Sequence, residues 1–172
     1  ELAGLTYSMT IHGFGILGEP SRWRLREKIE RARFVICVSE HARSQAMLWS
    51  RRSCWPRLHV VHCGVEPESL AVKQHQGRGK RLLFVGRFDH VKGLPLLLQA
   101  FAALAQRDPD LHLDLVGDGP ERADLEAVVA ELGLGERITF HGYHSQAQLR
   151  ADYARADLFV LTSFAEGIPV VL

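Results

Sequence analysis

The sequence predicts an α/β fold built from open parallel sheets, and three observations support this prediction. Short apolar runs rich in strand formers alternate with segments of helical periodicity along the 172 residues. Turns that contain glycine follow most of these runs. Strands separated by helices of this length pair in parallel through right-handed crossovers. Because such sheets bind ligands at the carboxyl ends of their strands, the residues just after each predicted strand are the candidate site residues.

Composition and charge are those of an ordinary globular protein, with 47% hydrophobic and 24% charged residues. The net charge is +1, but residues 22–57 carry ten Lys or Arg against three acids, whereas residues 108–172 carry four Arg against twelve acids. This asymmetry indicates two units with different partners. Three cysteines without CxxC spacing argue against a disulfide framework or a zinc ribbon, and they favour a reducing, cytoplasmic location. No apolar run reaches the length of a transmembrane helix.

Residues 1–65 make up the first predicted domain. Its strands are expected at 5–11, 33–38 and 58–62, and its helices at 21–32 and at about 40–50. Ser21 and Ser39 are placed to cap these two helices. The polar segment 66–80 is predicted to be a linker, since it contains Pro67, Gly77 and Gly79.

Residues 81–172 make up the second, more regular predicted domain. Its strands are expected at 81–85, 111–116, 138–141 and 157–162, and its helices at about 94–106, 120–132 and 146–155. Ser145 and Gln148 have the spacing of a capping box at the start of the last helix. The middle helix places four apolar residues on one stripe: Leu125, Val128, Val129 and Leu132.

The most informative segment is 82–93, in which a strand runs into a glycine turn at Gly86. Arg87 offers a planar fork of donors and Lys92 a mobile point charge, at the start of a helix whose amino-terminal dipole favours anions. This arrangement suits a ligand with two linked phosphates. The alternative is a turn with two solvated cations, which is common in such loops.

Three further segments follow predicted strands. Gly117-Asp118-Gly119-Pro120 is part of a GxGxxG fingerprint, and a tight turn that only shapes the ligand cleft is the alternative. Glu166, before Gly167 and Ile168, can accept hydrogen bonds from vicinal hydroxyls, or it is a solvated loop acid. His12 follows the first strand and can donate to a sugar hydroxyl, although a lone histidine is more often a packed or surface residue.

The sequence predicts neither a metal site nor nucleic-acid binding. His59 and His62 face opposite sides of a strand, and His141 and His144 bracket a turn and are expected to lack acidic or thiol partners nearby. No basic groove with interleaved aromatic residues is apparent. The helix at 22–33 has six Lys or Arg beside Trp23, which suits an anionic membrane face or an ordinary solvated face.

The order of these segments resembles the retaining nucleotide-sugar glycosyltransferases of family four, the group 1 type, which have the GT-B fold of two Rossmann-like domains facing a cleft. The resemblance lies in VGRFDHVKG, LDLVGDGPER, ITFHGY and ADLFVLTSFAEGIPVVL, and in the earlier pieces YSMTIHG, RARFVICVSE and VVHCGVE. It implies that residues 1–65 are the last part of the acceptor-side domain and residues 81–172 the first part of the donor-binding domain, both incomplete.

The resemblance also implies residue roles. Arg87 and Lys92 would bind the donor diphosphate and stabilise the leaving group, and Glu166 and His12 would contact the transferred sugar. The remaining donor contacts would come from Gly86, Gly117, Gly142, Tyr143, Gly167 and Ile168. No cofactor or metal is expected. The partners would be a nucleotide-sugar donor and a glycan or lipid-linked acceptor, with peripheral contact at the cytoplasmic membrane face.

Two departures from the family pattern leave alternatives open. The second glutamate of the family motif falls eight residues after Glu166, past Leu172, and the early acceptor-side segments precede Glu1. We therefore expect the parent protein to be an enzyme and this stretch by itself to be inactive. The alternatives are a non-catalytic nucleotide- or partner-binding module of the same fold and another GT-B enzyme such as a sugar-nucleotide epimerase. A dinucleotide-dependent dehydrogenase would need a fuller glycine fingerprint.

Overall fold

The computed structural model describes residues 5–13, 17–64 and 79–166. The described residues fall into two compact units, one that ends at residue 64 and one that runs from 79 to 165. Each unit contains a parallel sheet with helices packed on it, which confirms the predicted α/β class. Of the predicted linker, residues 66–78 lie outside the described residues, and the predicted domain limits stay predictions.

The first unit has a three-stranded parallel sheet in the order β1-β2-β3. Its strands are β1 (Met9–Ile11), β2 (Val35–Cys37) and β3 (Leu58–Val60), and its helices are α1 (Leu25–Arg31), α2 (Glu40–Leu48) and a 3₁₀ helix (Arg52–Arg57). The core side chains come from alternate strand positions and from one stripe of each helix, as half-buried elements require. They are Ile11, Leu25, Ile29, Ala32, Val35, Cys37, Ala42, Ala46, Cys54 and Leu58.

Of the two helix caps predicted in this unit, one is confirmed and one is wrong. The Ser39 hydroxyl accepts a hydrogen bond from the Ala42 amide at the start of α2. Ser21 does not cap α1, which begins four residues later behind Arg24. Arg24 adopts a left-handed conformation with φ of 50°, so the chain turns there and the helix cannot extend back to Ser21. The first strand is also shorter than predicted, because only residues 9–11 pair with β2.

The second unit has a four-stranded parallel sheet in the order β6-β5-β4-β7, the order in which a doubly wound sheet reverses direction beside its first strand. Its strands are β4 (Arg81–Val85), β5 (His112–Val116), β6 (Ile138–Gly142) and β7 (Leu158–Phe159). Its helices are α3 (Leu94–Ala105), α4 (Arg122–Glu131) and α5 (Gln146–Arg155), and a 3₁₀ turn (His90–Lys92) precedes α3.

Helices cover both faces of this sheet. Helices α3 and α4 pack on one face around Phe84, Phe88 and Phe101, which are almost completely buried. Helix α5 packs on the other face, where Leu149 and Tyr153 lie against buried residues of β4 and β5. Burial of each large apolar side chain contributes about 1.5–3 kcal/mol, so the two layers hold the strand ends in place.

Three details of the second unit refine the sequence analysis. The predicted capping box at α5 is confirmed, with the Ser145 hydroxyl and the Gln148 side chain each bonded to the other residue's amide. Helix α4 begins at Arg122, so Pro120 lies in the preceding turn and not in the first helical turn. Strand β7 pairs with β4 at two positions only, although six strand residues were predicted.

No helix in the described ranges has the length and apolarity that a bilayer crossing requires.

Candidate functional site

The carboxyl ends of β4, β5 and β6 are joined through three glycines. The Gly86 amide donates to Val116, the last residue of β5, and the Gly117 amide donates to the Gly142 carbonyl at the end of β6 (2.8 Å). A Cβ at Gly117 would overlap the Gly86 carbonyl, and φ at Gly117 is +137°. The backbones at Gly86 and Gly117 lie so close together that no side chain fits at position 117. The three predicted glycines are therefore brought together at one edge of the sheet.

The loop after β4 and the Gly117–Pro120 turn interlock. The Phe88 amide donates to the Asp118 carbonyl (2.9 Å), and the Glu121 amide donates to the Phe88 carbonyl (3.2 Å). A Cβ at Gly119 would overlap the Phe88 backbone. The Gly117–Pro120 turn therefore supports the loop that carries Arg87, whether or not the turn itself contacts a ligand.

Arg87 and Lys92 lie at the same edge, on either side of this loop. Arg87 is 71% exposed and makes a long ion-pair contact to Asp89 (Nε to Oδ2, 3.7 Å). Lys92 ends the 3₁₀ turn, and its Cε lies 3.9 Å from the position that a Cβ on Gly86 would occupy. The Lys92 side chain therefore passes over the first glycine of the edge, and the first turn of α3 follows immediately.

The segment after β7 supports the Lys92 turn from the other side. The Thr162 hydroxyl lies 3.0 Å from the Lys92 carbonyl oxygen and 3.2 Å from that of Gly93. The Phe164 amide donates to the Val91 carbonyl (2.8 Å). Thr162 was not predicted as a site residue, because only the fold shows that this segment reaches the Lys92 turn.

The turn at Gly142 and Tyr143 is held by two histidines that the sequence analysis treated as lacking acidic partners, and that expectation is wrong. His141 Nε2 lies 2.7 Å from Asp114 Oδ1, and His144 Nδ1 lies 2.5 Å from Asp152 Oδ2. The carboxylates come from β5 and α5, 27 and 8 residues away from their histidines in the sequence. Tyr143 itself is 85% exposed.

Arg122 is a second residue that the sequence analysis missed. Its guanidinium lies over the Phe140 ring, and its Nη1 would be 3.6 Å from a Cβ on Gly142. A hydrogen bond to Glu126, together with the charge of Asp118, raises the pKa of Arg122 further above its ordinary value. This fixed cation therefore lies at the base of the Gly142–Tyr143 turn.

Three buried polar atoms in the loops after β4, β5 and β7 have no hydrogen-bond partner within the described part of the chain. They are Asp89 Oδ1, Glu121 Oε2 and Ser163 Oγ. A buried polar group without a partner costs about 1–3 kcal/mol. Such groups are tolerated where a ligand or solvent completes the bonding, and here they lie in the loops that form the candidate site.

The remaining predicted residues are placed as follows. His12 lies in the first unit, just after β1, with Nδ1 3.9 Å from Cys63 Sγ. Glu166 is half-buried and is the last residue that the structure describes, so Gly167 and Ile168 lie outside the described residues. Among the described residues, no group of three or more His, Cys, Asp or Glu is arranged to hold a metal ion. The roles of all ten predicted site residues stay predictions.

Comparison with known families identifies the chain. Residues 65–172 match the profile of the family described as "Glycosyl transferases group 1". The chain belongs to this family. The GT-B fold implied by the resemblance is confirmed, because this glycosyltransferase chain superposes on Anabaena HepE in complex with UDP and glucose. The TM-score is 0.71 and the identity 23%, over 94% of this chain and 47% of that one.

Two curated relatives show the range of the family. A 2-deoxystreptamine glucosyltransferase of Streptomyces kanamyceticus is 41% identical over 93 residues, which are 54% of this chain and 24% of the relative. A GDP-mannose:cellobiosyl-diphosphopolyprenol alpha-mannosyltransferase of Xanthomonas campestris is 34% identical over 138 residues, which are 79% of this chain and 36% of the relative. The group 1 glycosyltransferase chain thus spans less than half the length of these relatives.

Proposed function

We propose that the protein containing this chain transfers a sugar from a nucleotide-diphosphate sugar to a glycan or lipid-linked saccharide, with retention of configuration. The observation that carries the proposal is the interlocked glycine edge of the second unit, which presents Arg87 and Lys92 beside the start of α3. Membership of the group 1 glycosyltransferases supports the reaction class. Retention rests on the resemblance to family four.

The donor diphosphate is proposed to bind at Arg87 and Lys92. Gly86 and Gly117 carry no side chains that would keep a phosphate away from this edge, although their own amides are bonded to Val116 and Gly142. The start of α3 contributes the positive end of a 12-residue helix. Arg87 supplies paired donors, and Lys92 supplies a charge that can follow the phosphate as the bond to the sugar breaks.

The nucleobase is proposed to lie against the turn of Gly142 and Tyr143, on the same edge of the sheet. An exposed tyrosine ring offers a flat surface to a planar base. Glu166 is proposed to accept hydrogen bonds from hydroxyls of the transferred sugar, with amides of Gly167 and Ile168 nearby, and His12 to donate to the same sugar. These sugar contacts stay proposals that follow the family pattern.

In this proposal catalysis comes from charge stabilisation and positioning. Negative charge builds on the nucleoside diphosphate as it leaves, and the two cations of Arg87 and Lys92 stabilise it. The sugar acquires oxocarbenium-like character and must be held in line with the acceptor. No bound metal is required for this step, since Arg87 and Lys92 take the part that a divalent cation plays elsewhere.

The acceptor is proposed to be a glycan or a lipid-linked saccharide, used at the cytoplasmic face of a membrane. The name of the Xanthomonas relative specifies a diphosphopolyprenol-linked acceptor. Residues 22–57 are strongly basic, and Trp23 is 44% exposed with Lys28 Nζ over its ring. Several arginines there are paired with acids, such as Arg26 with Glu30, which reduces the free positive charge. Equal sedimentation with neutral and anionic vesicles would remove the membrane part of the proposal.

The donor site is tested by binding to the chain itself. We expect UDP, GDP or ADP and inorganic pyrophosphate to bind in isothermal titration calorimetry. Arg87→Gln and Lys92→Gln should each weaken binding of both probes by about 10-fold or more, because a hydrogen bond to a charged group contributes about 1.5–3 kcal/mol. Arg107→Gln is the matched control, since Arg107 is exposed just after α3 ends, at the opposite edge of the sheet.

The outcomes separate the donor site from the reaction. If neither pyrophosphate nor any nucleoside diphosphate binds the chain, the donor site is misplaced. If binding is normal but the whole protein carrying Arg87→Gln transfers sugar as fast as the unmodified protein, the proposed stabilisation of the leaving group is wrong. The expectation that this stretch alone does not catalyse transfer is tested in the same assay.

A further inference from the structure

The Gly142–Tyr143 turn lies between two histidine–carboxylate pairs. On one side, His141 is bonded to Asp114 of β5, whose other oxygen lies 3.6 Å from Arg81 Nε. On the other side, His144 is bonded to Asp152 of α5, whose other oxygen lies 2.6 Å from Arg155 Nη2. Each carboxylate therefore interacts with one histidine and one arginine.

The backbone of the turn is irregular, so side chains must hold it. Phe140 pairs with Leu115, but the next pair joins Val116 to Gly142, which leaves His141 as an extra residue in β6. Gly142 has φ of +73°, a conformation that few other residues adopt. The extra residue and the left-handed glycine turn the chain away from the sheet before α5 begins behind Ser145.

Asp152 is the best-enclosed member of this arrangement. It is 5% exposed, and no other polar or charged residue among the described positions is so deeply buried. Burial of a carboxylate destabilises a protein unless its oxygens are well bonded, and here both oxygens of Asp152 have partners. Burial, with the charge of Asp152 added to it, raises the pKa of Tyr153 on the same helix. The carboxylate thus fixes the His144 ring, with Nδ1 donating.

We propose that the His144–Asp152 and His141–Asp114 pairs are positioning elements that hold the Gly142–Tyr143 turn for the base of the nucleotide. The inference rests on the proposed function, in which this turn contacts the base. The rings of His141 and His144 are 5.5 Å apart, so the two pairs restrain both ends of a two-residue turn. The backbone of Tyr143 is then held in one conformation, and less entropy is lost when a base stacks on its ring.

The two pairs act on the base and not on the phosphates. Arg87 and Lys92 are supported by other contacts, namely the Gly117–Pro120 turn and Thr162. Loss of a histidine–carboxylate pair should therefore weaken binding of a nucleoside diphosphate and leave binding of inorganic pyrophosphate unchanged. A residue that merely supports the fold would weaken binding of both probes together.

The test compares these two probes on the full chain by calorimetry. We expect His144→Gln and Asp152→Asn each to weaken binding of the best nucleoside diphosphate about 5- to 10-fold, with pyrophosphate affinity within about 2-fold of the unmodified value. The double variant should be no weaker than the worse single variant, because both changes remove one interaction. His112→Gln is the matched control, since His112 opens β5 at the opposite edge of the sheet.

A second variant guards against loss of folding at the buried carboxylate. His141→Gln alters the other pair, whose histidine side chain is 26% exposed, and should show the same selective loss. Equal weakening of both probes, or no weakening of either, would overturn the positioning role. If the unmodified chain binds neither probe, the proposed donor site fails, and this inference fails with it. If a nucleoside diphosphate binds no more tightly than pyrophosphate, the proposed contact with the base is wrong, whereas the phosphate site stands.

Discussion

The hydroxyl of Thr162 lies 3.0 Å from the main-chain oxygen of Lys92, although 70 residues separate them in the sequence. A threonine hydroxyl has one hydrogen, which it shares here between the Lys92 and Gly93 carbonyls. The contact joins the segment that leads to Glu166 with the turn that carries the proposed phosphate cation. Two parts of the proposed donor site are thus held together by one side chain.

Replacement of Thr162 by valine should loosen this junction. Valine keeps the shape but removes the donor, so we expect the free energy of unfolding to fall by about 1–2 kcal/mol. Pyrophosphate affinity should fall a few-fold, because the Lys92 turn loses a support. Thr162→Ser keeps the hydroxyl and should retain both properties to a larger extent. Urea denaturation measures the first effect and calorimetry the second. If Thr162→Val has the stability and the pyrophosphate affinity of the wild type, the contact is unimportant.

Gly117 and Gly135 provide a matched pair of glycine substitutions. Gly117→Ala should destabilise the protein severely, by about 3 kcal/mol or more, because the new Cβ overlaps the Gly86 carbonyl and φ is +137°. Gly135→Ala should change the free energy of unfolding by less than about 1 kcal/mol, since nothing lies within 4 Å of its Cβ position. Urea denaturation measures both changes. A mild effect of Gly117→Ala would mean that the glycine edge is looser than the structure shows.

The three free cysteines should differ in reactivity. Cys37 and Cys54 are buried, whereas Cys63 is partly exposed. Burial also raises the pKa of Cys37, and a lower thiolate fraction slows its reaction further. We therefore expect a thiol reagent such as DTNB to modify Cys63 first in the folded protein and all three in denaturant. Rapid modification of Cys37 under native conditions would contradict the described core of the first unit.

The raised pKa of Cys37 also fixes the sign of a pH effect. The folded state keeps the thiol proton to higher pH than the unfolded state, so the unfolded state binds fewer protons in that window. Stability should therefore fall as the pH rises above about 8.5, the ordinary thiol pKa. Cys37→Ala should flatten this alkaline loss, and Cys63→Ala should leave it in place. Denaturation midpoints between pH 7 and 10 provide the measurement.

Much of the fold was predictable because local signals and global packing agree. The alternation of β4, α3 and β5 follows from apolar runs that are separated by one helix length, and the cap at Ser145 follows from its spacing to Gln148. The start of α1 was not predictable in this way, because Arg24 adopts a left-handed conformation that its residue type disfavours. The shortness of β7 depends on pairing with β4, which no local pattern reports.

The sequence by itself determined the parallel α/β class and the position of Arg87, Lys92 and the site glycines along the chain. Periodicity and turn residues act over a few positions, and they place these residues after strands. Only the tertiary structure decided which strand ends meet and which side chains support them. Lys92 contacts Thr162, 70 residues away, and His141 contacts Asp114, 27 residues away, because the sheet order brings distant segments to one edge, and that order depends on burial summed over the whole unit.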